Sequence, residues 1–150
     1  MNNYKEHKHL GMYGLVIKED NILLIKKKTG PYDGKLDLPG GSPKFGERPE
    51  ETLKRELLEE TGLEIKEYKL YDTDSVLVDW IDNNELYKVH HTGIFYLITD
   101  YQNEIKINIE LDECNDDSLG ANFYPINNLT KEQLSEIAIL ELEKLGYKLN

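Results

Sequence analysis

Hydrophobic and polar positions alternate along much of the chain, and the pattern predicts mostly strands. "MYGLVIKEDNILLIKKK" reads as two strands, Met12–Ile17 and Ile22–Lys27, joined by a turn at Glu19-Asp20-Asn21. "TGPYDGK" is loop, and "LDLPGG" is a short strand ending in a glycine pair. Gly41 to Gly46 is loop, since it holds Pro43 and two glycines. The period then changes. Pro49 suits a first helical position, Glu50 and Glu51 suit the positive end of the helix dipole, and Thr61-Gly62 provides a stop with Gly62 as the left-handed cap. These signals predict a helix over Pro49–Thr61, weakened at its start because Arg48 is a poor N-cap.

Alternation returns in "LEIKEYKLYDTDSVLVD", breaks at a turn in "IDNNE", and resumes in the long strand "LYKVHHTGIFYLITDY". "EIKINIE" reads as another short strand, "CNDDSLG" as a polar loop and "NFYPI" as a last short strand. Leu134, Ile137, Ala138, Leu142 and Leu145 recur at helical spacing and predict a terminal helix over Lys131–Leu145. Strands, helix, strands, helix is the order of an α/β or α+β layer architecture, a mixed sheet with helices packed on it.

A chain of 150 residues suits one domain over 1–150, with one substantial core. The net charge of −11 repels a bare nucleic-acid backbone, so no nucleic-acid partner is expected. Lys26, Lys27 and Lys28 form the only tight basic cluster, read as edge-strand solubility ahead of phosphate contact. No apolar run is long enough to span a bilayer, and no membrane partner is expected. The polar start "MNNYKEHKHL" has no apolar core of a secretory signal, and the single Cys114 excludes an intrachain disulfide. Together these features favour the cytoplasm.

The glutamates of the predicted helix change the picture. Glu56, Glu59 and Glu60 stand at i, i+3 and i+4, so they share one face beside the apolar stripe of Leu53 and Leu57. Like charges at that spacing cost a few tenths of a kcal/mol per pair, roughly, on an isolated helix. A divalent cation reverses the sign, and hard oxygen ligands suit Mg²⁺ or Mn²⁺, which also bind substrate phosphates. A solvated acidic face offset by Lys54 and Arg55 is the bland alternative. The Leu38-Pro39-Gly40-Gly41 turn just ahead of the helix favours the site, because it lets the backbone approach a ligand closely.

Taken as a pattern, the segment is Gly41, five residues, Glu47, seven residues, Arg55-Glu56-Leu57, one residue, Glu59-Glu60, one residue, Gly62-Leu63. At every fixed position it resembles the signature of the Nudix hydrolases (MutT-like), and "LPGG" and "EETGL" are similar to its flanks. The resemblance implies a Nudix-type α/β/α sandwich around a central mixed β-sheet. It implies hydrolysis of the diphosphate linkage in a small-molecule nucleoside diphosphate derivative, with Mg²⁺ or Mn²⁺ as cofactor. A nucleoside triphosphate is the expected substrate, with nucleotide sugars and other organic diphosphates left open. The implied catalytic residues are Glu56, Arg55 and Glu59. The implied metal ligands are Glu56, Glu59, Glu60 and the Gly40 carbonyl. Gly41, Glu47 and Gly62 are implied to shape the segment, with Glu47 bracing Arg55. Dimers are frequent in similar proteins, so the resemblance leaves a homodimer open, and the sequence does not settle the oligomeric state.

Some relatives add an acid from outside this segment, and Asp112, Glu113, Asp116 and Asp117 are the candidates here. Val78, Asp79 and Trp80 occupy the region where relatives specific for dinucleoside polyphosphates show a tyrosine and those for ADP-ribose a proline, so neither marker is present. A nucleotide sensor without hydrolysis and an isoprenoid diphosphate isomerase are the competing classes on this scaffold. The intact set of glutamates argues against the first, and the absence of extra segments and of the needed cysteine placement against the second. His7 and His9 fall in a terminus expected to fray. His90 and His91 are adjacent on a strand and therefore point to opposite faces, with packing or surface roles expected. Trp80, Tyr87, Phe95 and Tyr96 are aromatic candidates for base stacking, though in strands such residues are more often core.

Overall fold

Successive side chains of the central strands point to opposite faces, and that parity sorts them into two cores. The computed structural model describes residues 3–105 and 118–150. Strand β1 is Lys5–Leu15, β2 is Ile17–Lys18 and β3 is Asn21–Lys27. Two short strands follow, β4 (Leu36–Asp37) and β5 (Gly40–Gly41), and then helix α1 (Pro49–Thr61). Strands β6 (Glu64–Asp82), β7 (Glu85–Gln102) and β8 (Ser118–Pro125) precede helix α2 (Glu136–Lys144).

One sheet runs β5-β1-β7-β6; in the other, β3 lies between β2, β4 and β8. The β1–β7 pair is parallel and the rest are antiparallel, so the architecture is mixed. Tyr13, Leu15, Ile22, Leu24 and Phe95 join Ile137, Ala138 and Leu142 of α2 in one core. Their neighbours Met12, Val16, Leu23, Ile25 and Tyr96 join Leu53 and Leu57 of α1 in the other. Strands buried on both faces, with a helix over each, make the α/β/α sandwich of an α+β protein. Phe95 and Tyr96 are therefore core residues.

Helix α1 has the bounds its caps predict. Arg48 makes no side-chain cap, and Gly62 closes the helix in the left-handed conformation at φ 83°. The turn in "IDNNE" is Asn83-Asn84, both at positive φ, which matches the right-handed twist of the hairpin strands it joins. Among the described residues, strand β6 pairs only with β7 and forms the edge of its sheet.

Two expectations change, and a third falls largely outside the described residues. The strand predicted from Met12 begins at Lys5, because the polar start pairs in parallel with β7 from Lys5↔Tyr87 to Leu15↔Leu97. The terminus holding His7 and His9 is thus a strand and not a frayed end. The helix predicted over Lys131–Leu145 breaks in two, a 3₁₀ turn at Lys131–Gln133 and then α2. Ser135 causes the break: its amide donates to the Leu36 carbonyl at 2.9 Å, its hydroxyl donates to Asp37 at 2.6 Å, and its Oγ caps Ala138 N. Finally, most of "EIKINIE" and most of the "CNDDSLG" loop fall outside the described residues.

Helix α2 is tied to the hairpin by charge. Lys144 Nζ donates to Asp72 at 2.7 Å and to Asp74 at 2.5 Å. Glu141 is fully buried next to them, 3.9 Å from Lys144 Nζ, and among the described residues neither of its oxygens lies within hydrogen-bonding geometry. Burial first, and then the adjacent Asp72, push its carboxyl up to about 8. The unfolded chain releases this proton near 4.5 and the folded chain near 8, so stability falls as pH rises between those values. Glu141→Gln removes the titration. Its thermal midpoint should exceed the parent's at pH 8, and its decline between about pH 5 and 8 should be shallower. Parallel declines in the two proteins would show that Glu141 is not the group responsible.

Candidate active site

Two elements place the acidic residues around one guanidinium. Helix α1 presents Arg55, Glu56, Glu59 and Glu60, and the loop from Ser42 to Arg48 brings Glu47 back over it. Arg55 Nε donates to Glu47 Oε2 at 2.7 Å and Nη2 donates to Glu47 Oε1 at 2.9 Å, a two-pronged pair. Arg55 Nη1 donates to Glu56 Oε1 at 2.8 Å and to Glu59 Oε2 at 3.3 Å, and Nη2 reaches the Ser42 carbonyl at 3.1 Å. Glu47 also accepts from Thr52 Oγ1 at 2.6 Å and from the Lys44 amide at 3.0 Å. The Arg55 bond, then those from Thr52 and Lys44, hold the Glu47 carboxyl well below the usual carboxylate range. Glu47 raises Arg55 further still.

Glu60 sits deeper. It is 1% exposed, and its Oε1 accepts the Gly40 amide at 2.8 Å. Beside it, a Cβ at Gly41 would lie 2.7 Å from the Glu56 carboxyl carbon, so only glycine lets the loop lie against that carboxylate. Glu59 is the outermost, its side chain 46% exposed. The structure therefore brings Gly40, Gly41, Glu47, Arg55, Glu56, Glu59 and Glu60 together, with Gly62 at the far end of the helix. Asp112, Glu113, Asp116 and Asp117 lie outside the described residues.

A cleft of about 380 Å³ opens beside these groups. Glu56, Glu60, Gly40 and Gly41 form one end, and Lys27, Tyr32, Trp80 and His7 line the remainder. Lys27, read from sequence as a solubility residue, faces this cleft. Trp80 lines it too, its ring centroid 5.4 Å from that of Tyr87. His90 and His91 do point to opposite faces: His90 is exposed, and His91, 1% exposed, lines the cleft.

The cleft wall contains what pattern reading missed. His9 and His91 are register partners across β1 and β7, their rings 4.6 Å apart. Tyr13 leans back along β1 over Gly11, where any side chain would strike its ring. Its hydroxyl is 2.6 Å from His91 Nε2 and 3.4 Å from His9 Nε2. Tyr32, from the loop after β3, places its hydroxyl 2.7 Å from His91 Nδ1. Burial, aided by His9 and Lys27, keeps His91 neutral by pushing its pKa down to about 3. The available signal was parity: residues 9, 11 and 13 share a face once the N-terminal segment is known to be a strand.

A glycine turn feeding an acidic helix thus brings hard oxygen donors to one side of the cleft. Residues 7–141 match the NUDIX domain family model, and the chain belongs to the Nudix hydrolase family. It is 33% identical over 125 residues to an ADP-ribose pyrophosphatase of Methanocaldococcus jannaschii, covering 83% of this chain and 66% of that protein. It is 30% identical over 102 residues to an 8-oxo-dGTP diphosphatase of Proteus vulgaris, covering 67% of this chain and 84% of that protein. The crystal structure of a MutT NUDIX hydrolase from Burkholderia pseudomallei superposes with a TM-score of 0.69 at 26% identity, covering 93% of this chain and 98% of that one.

The Arg55 fork makes a local prediction. Arg55→Lys keeps the charge but cannot span both Glu47 oxygens and Glu56 together. The Lys44 amide, which donates to Glu47, should then exchange its hydrogen faster than in the parent, and the thermal midpoint should drop. Unchanged exchange at Lys44 would mean that Arg55 does not tether the loop.

Proposed function

We propose that the protein is a metal-dependent pyrophosphohydrolase that cleaves the diphosphate linkage of a nucleoside diphosphate derivative. The observation that carries this reading is the Arg55-centred carboxylate cluster, with Glu56 and Glu60 at the floor of a cleft large enough for a nucleotide.

The donor set fits a divalent cation. Among the described residues, no three His, Cys, Asp or Glu side chains converge as a ready-made metal cage. Mg²⁺ and Mn²⁺ do not need a closed one, since water and substrate phosphate complete the shell around the protein's oxygen donors. Glu56, Glu59, Glu60 and the Gly40 carbonyl are the proposed ligands. The bound metal would supply charge neutralisation and a more acidic water.

The chain's own residues do the remaining work. Arg55 holds Glu56 from one side through Oε1, in position to take the proton of the attacking water. The Gly40 amide fixes Glu60 so that its rotamer is set before substrate arrives. Lys27 lines the same cleft and offers a positive charge to a phosphate oxygen. Trp80 and Tyr32 give the nucleoside end an aromatic surface.

A nucleoside triphosphate is the first-choice substrate, in keeping with the Proteus vulgaris relative. ADP-ribose is the second, favoured by the longer alignment with the Methanocaldococcus jannaschii protein.

A panel of nucleoside triphosphates, oxidised triphosphates and ADP-ribose, incubated with Mg²⁺ and with Mn²⁺ and read by product mass, tests the proposal. Metal-dependent cleavage of at least one diphosphate is expected. Glu56→Gln and Glu60→Gln should each lower kcat by about 10²–10⁴-fold with the fold intact by circular dichroism. Full activity in either folded variant removes that residue from the site. No cleavage of any substrate makes the protein a binder.

A further inference from the structure

One side of the cleft is a continuous run of hydrogen-bonding groups that the hydrolytic reading does not use. From the loop after β3 it passes Tyr32 OH, His91 Nδ1 and Nε2, Tyr13 OH and His9 Nε2 and Nδ1, and it ends at Ser42 Oγ. The successive separations are 2.7, 2.6, 3.4 and 3.3 Å. Tyr32, Tyr13, His91, His9 and Ser42 all line the cleft. Ser42 directly follows Gly41 at the acidic end, and its carbonyl accepts from Arg55.

We propose that this run is a reversible hydrogen-bond wire that sets nucleobase preference, letting one cleft accept a base edge that presents either an oxygen acceptor or an amino donor. The proposal rests on the nucleotide reading of the cleft. Tyr13, His91 and His9 act as positioning residues, and Tyr32 is the group that meets the ligand.

The wire follows from counting protons. A neutral imidazole carries one N–H and one bare nitrogen, so its two neighbours must play opposite roles. His91 is held neutral by its burial. If its proton is on Nε2, it donates to Tyr13, and Tyr32 must donate to Nδ1. The Tyr32 oxygen then faces the ligand as an acceptor, and Tyr13 passes its own proton toward His9. If the proton is on Nδ1, His91 donates to Tyr32 and Tyr13 donates to Nε2. Tyr32 then keeps its O–H for the ligand, and Tyr13 accepts from His9. Each direction is self-consistent from Tyr32 to Ser42. A base with an oxo group selects the second, and a base with an amino group the first. No side chain has to move, because only hydroxyl rotors and imidazole tautomers change.

The test fixes the direction from the far end, at His9. Lysine there can only donate, so His9→Lys forces Tyr13 to accept from it and leaves the Tyr32 O–H toward the ligand. An ionised glutamate can only accept, so His9→Glu forces the reverse. His9→Gln, with both a donor and an acceptor, is the control. Binding of the α,β-methylene triphosphates of inosine and adenosine, which differ only along the six-position edge, is measured by calorimetry with Mg²⁺. The readout is the ratio of the two Kd values, in which any general effect of the new charge on the phosphates cancels.

The parent and His9→Gln should discriminate weakly, by no more than about threefold. His9→Lys should move the ratio toward inosine and His9→Glu toward adenosine, each by about three- to tenfold, the worth of one neutral hydrogen bond. Simple disruption cannot produce shifts of opposite sign. Shifts of the same sign, or none beyond about twofold, overturn the wire. Failure of the parent to bind either analogue overturns it as well. The hydrolytic reading is judged separately, by cleavage of the substrate panel, and either proposal can fall while the other stands.

Discussion

Carboxylates cannot be crowded onto one helix face without a compensating charge, and Arg55 supplies it. One guanidinium reaches Glu47, Glu56, Glu59 and the Ser42 carbonyl. Its planar fork fixes the loop to the helix and the glutamates to one another. Without it, Glu47 would be half-buried with its strongest partner gone, and Glu56 and Glu59 would face each other one turn apart. The Gly40-Gly41 turn is matched to the same arrangement, since a Cβ at Gly41 would run into the Glu56 carboxylate that Arg55 holds. The cluster is therefore a rigid acidic surface before any cation arrives, which is what a site for a phosphate-bound metal requires.

Most of this was legible in the chain because the forces involved are local. Pro49 and Gly62 mark the helix ends through backbone geometry alone. The spacing of Glu56, Glu59 and Glu60 places them on one face by the pitch of a helix. The N-terminal strand was not legible, since Lys5 to His9 carries almost no apolar periodicity. Its strand character comes from pairing with a segment some eighty residues away. With that strand unread, Tyr13 and His9 could not be placed against His91. Ser135 was misread as ordinary helix interior, and only its tertiary partners Leu36 and Asp37 make it a cap.

Buried polar groups are treated in opposite ways at two places in the fold. Beneath the cleft, Asp37, Glu60, His91 and Ser135 are all buried and each has a hydrogen-bond partner. Under α2, Glu141 is buried beside two aspartates that share one lysine. A charged carboxylate there is expensive, and the group stays protonated to well above its ordinary range. The first arrangement is a polar lining satisfied in detail. The second couples the seating of a helix to acidity.

The Asn83-Asn84 hairpin has a bearing on how the chain assembles. Closing a two-residue turn costs little loop entropy, and each further pair of β6 and β7 adds only its immediate neighbours. The parallel pairing of β1 with β7 instead encloses most of the sequence between Leu15 and Glu85. The ribbon is thus the cheapest large unit to order, and β1 docks on an edge that already exists. Tyr13 and His9 meet His91 only through that pairing, so this wall of the cleft depends on a long-range contact and not on the ribbon itself.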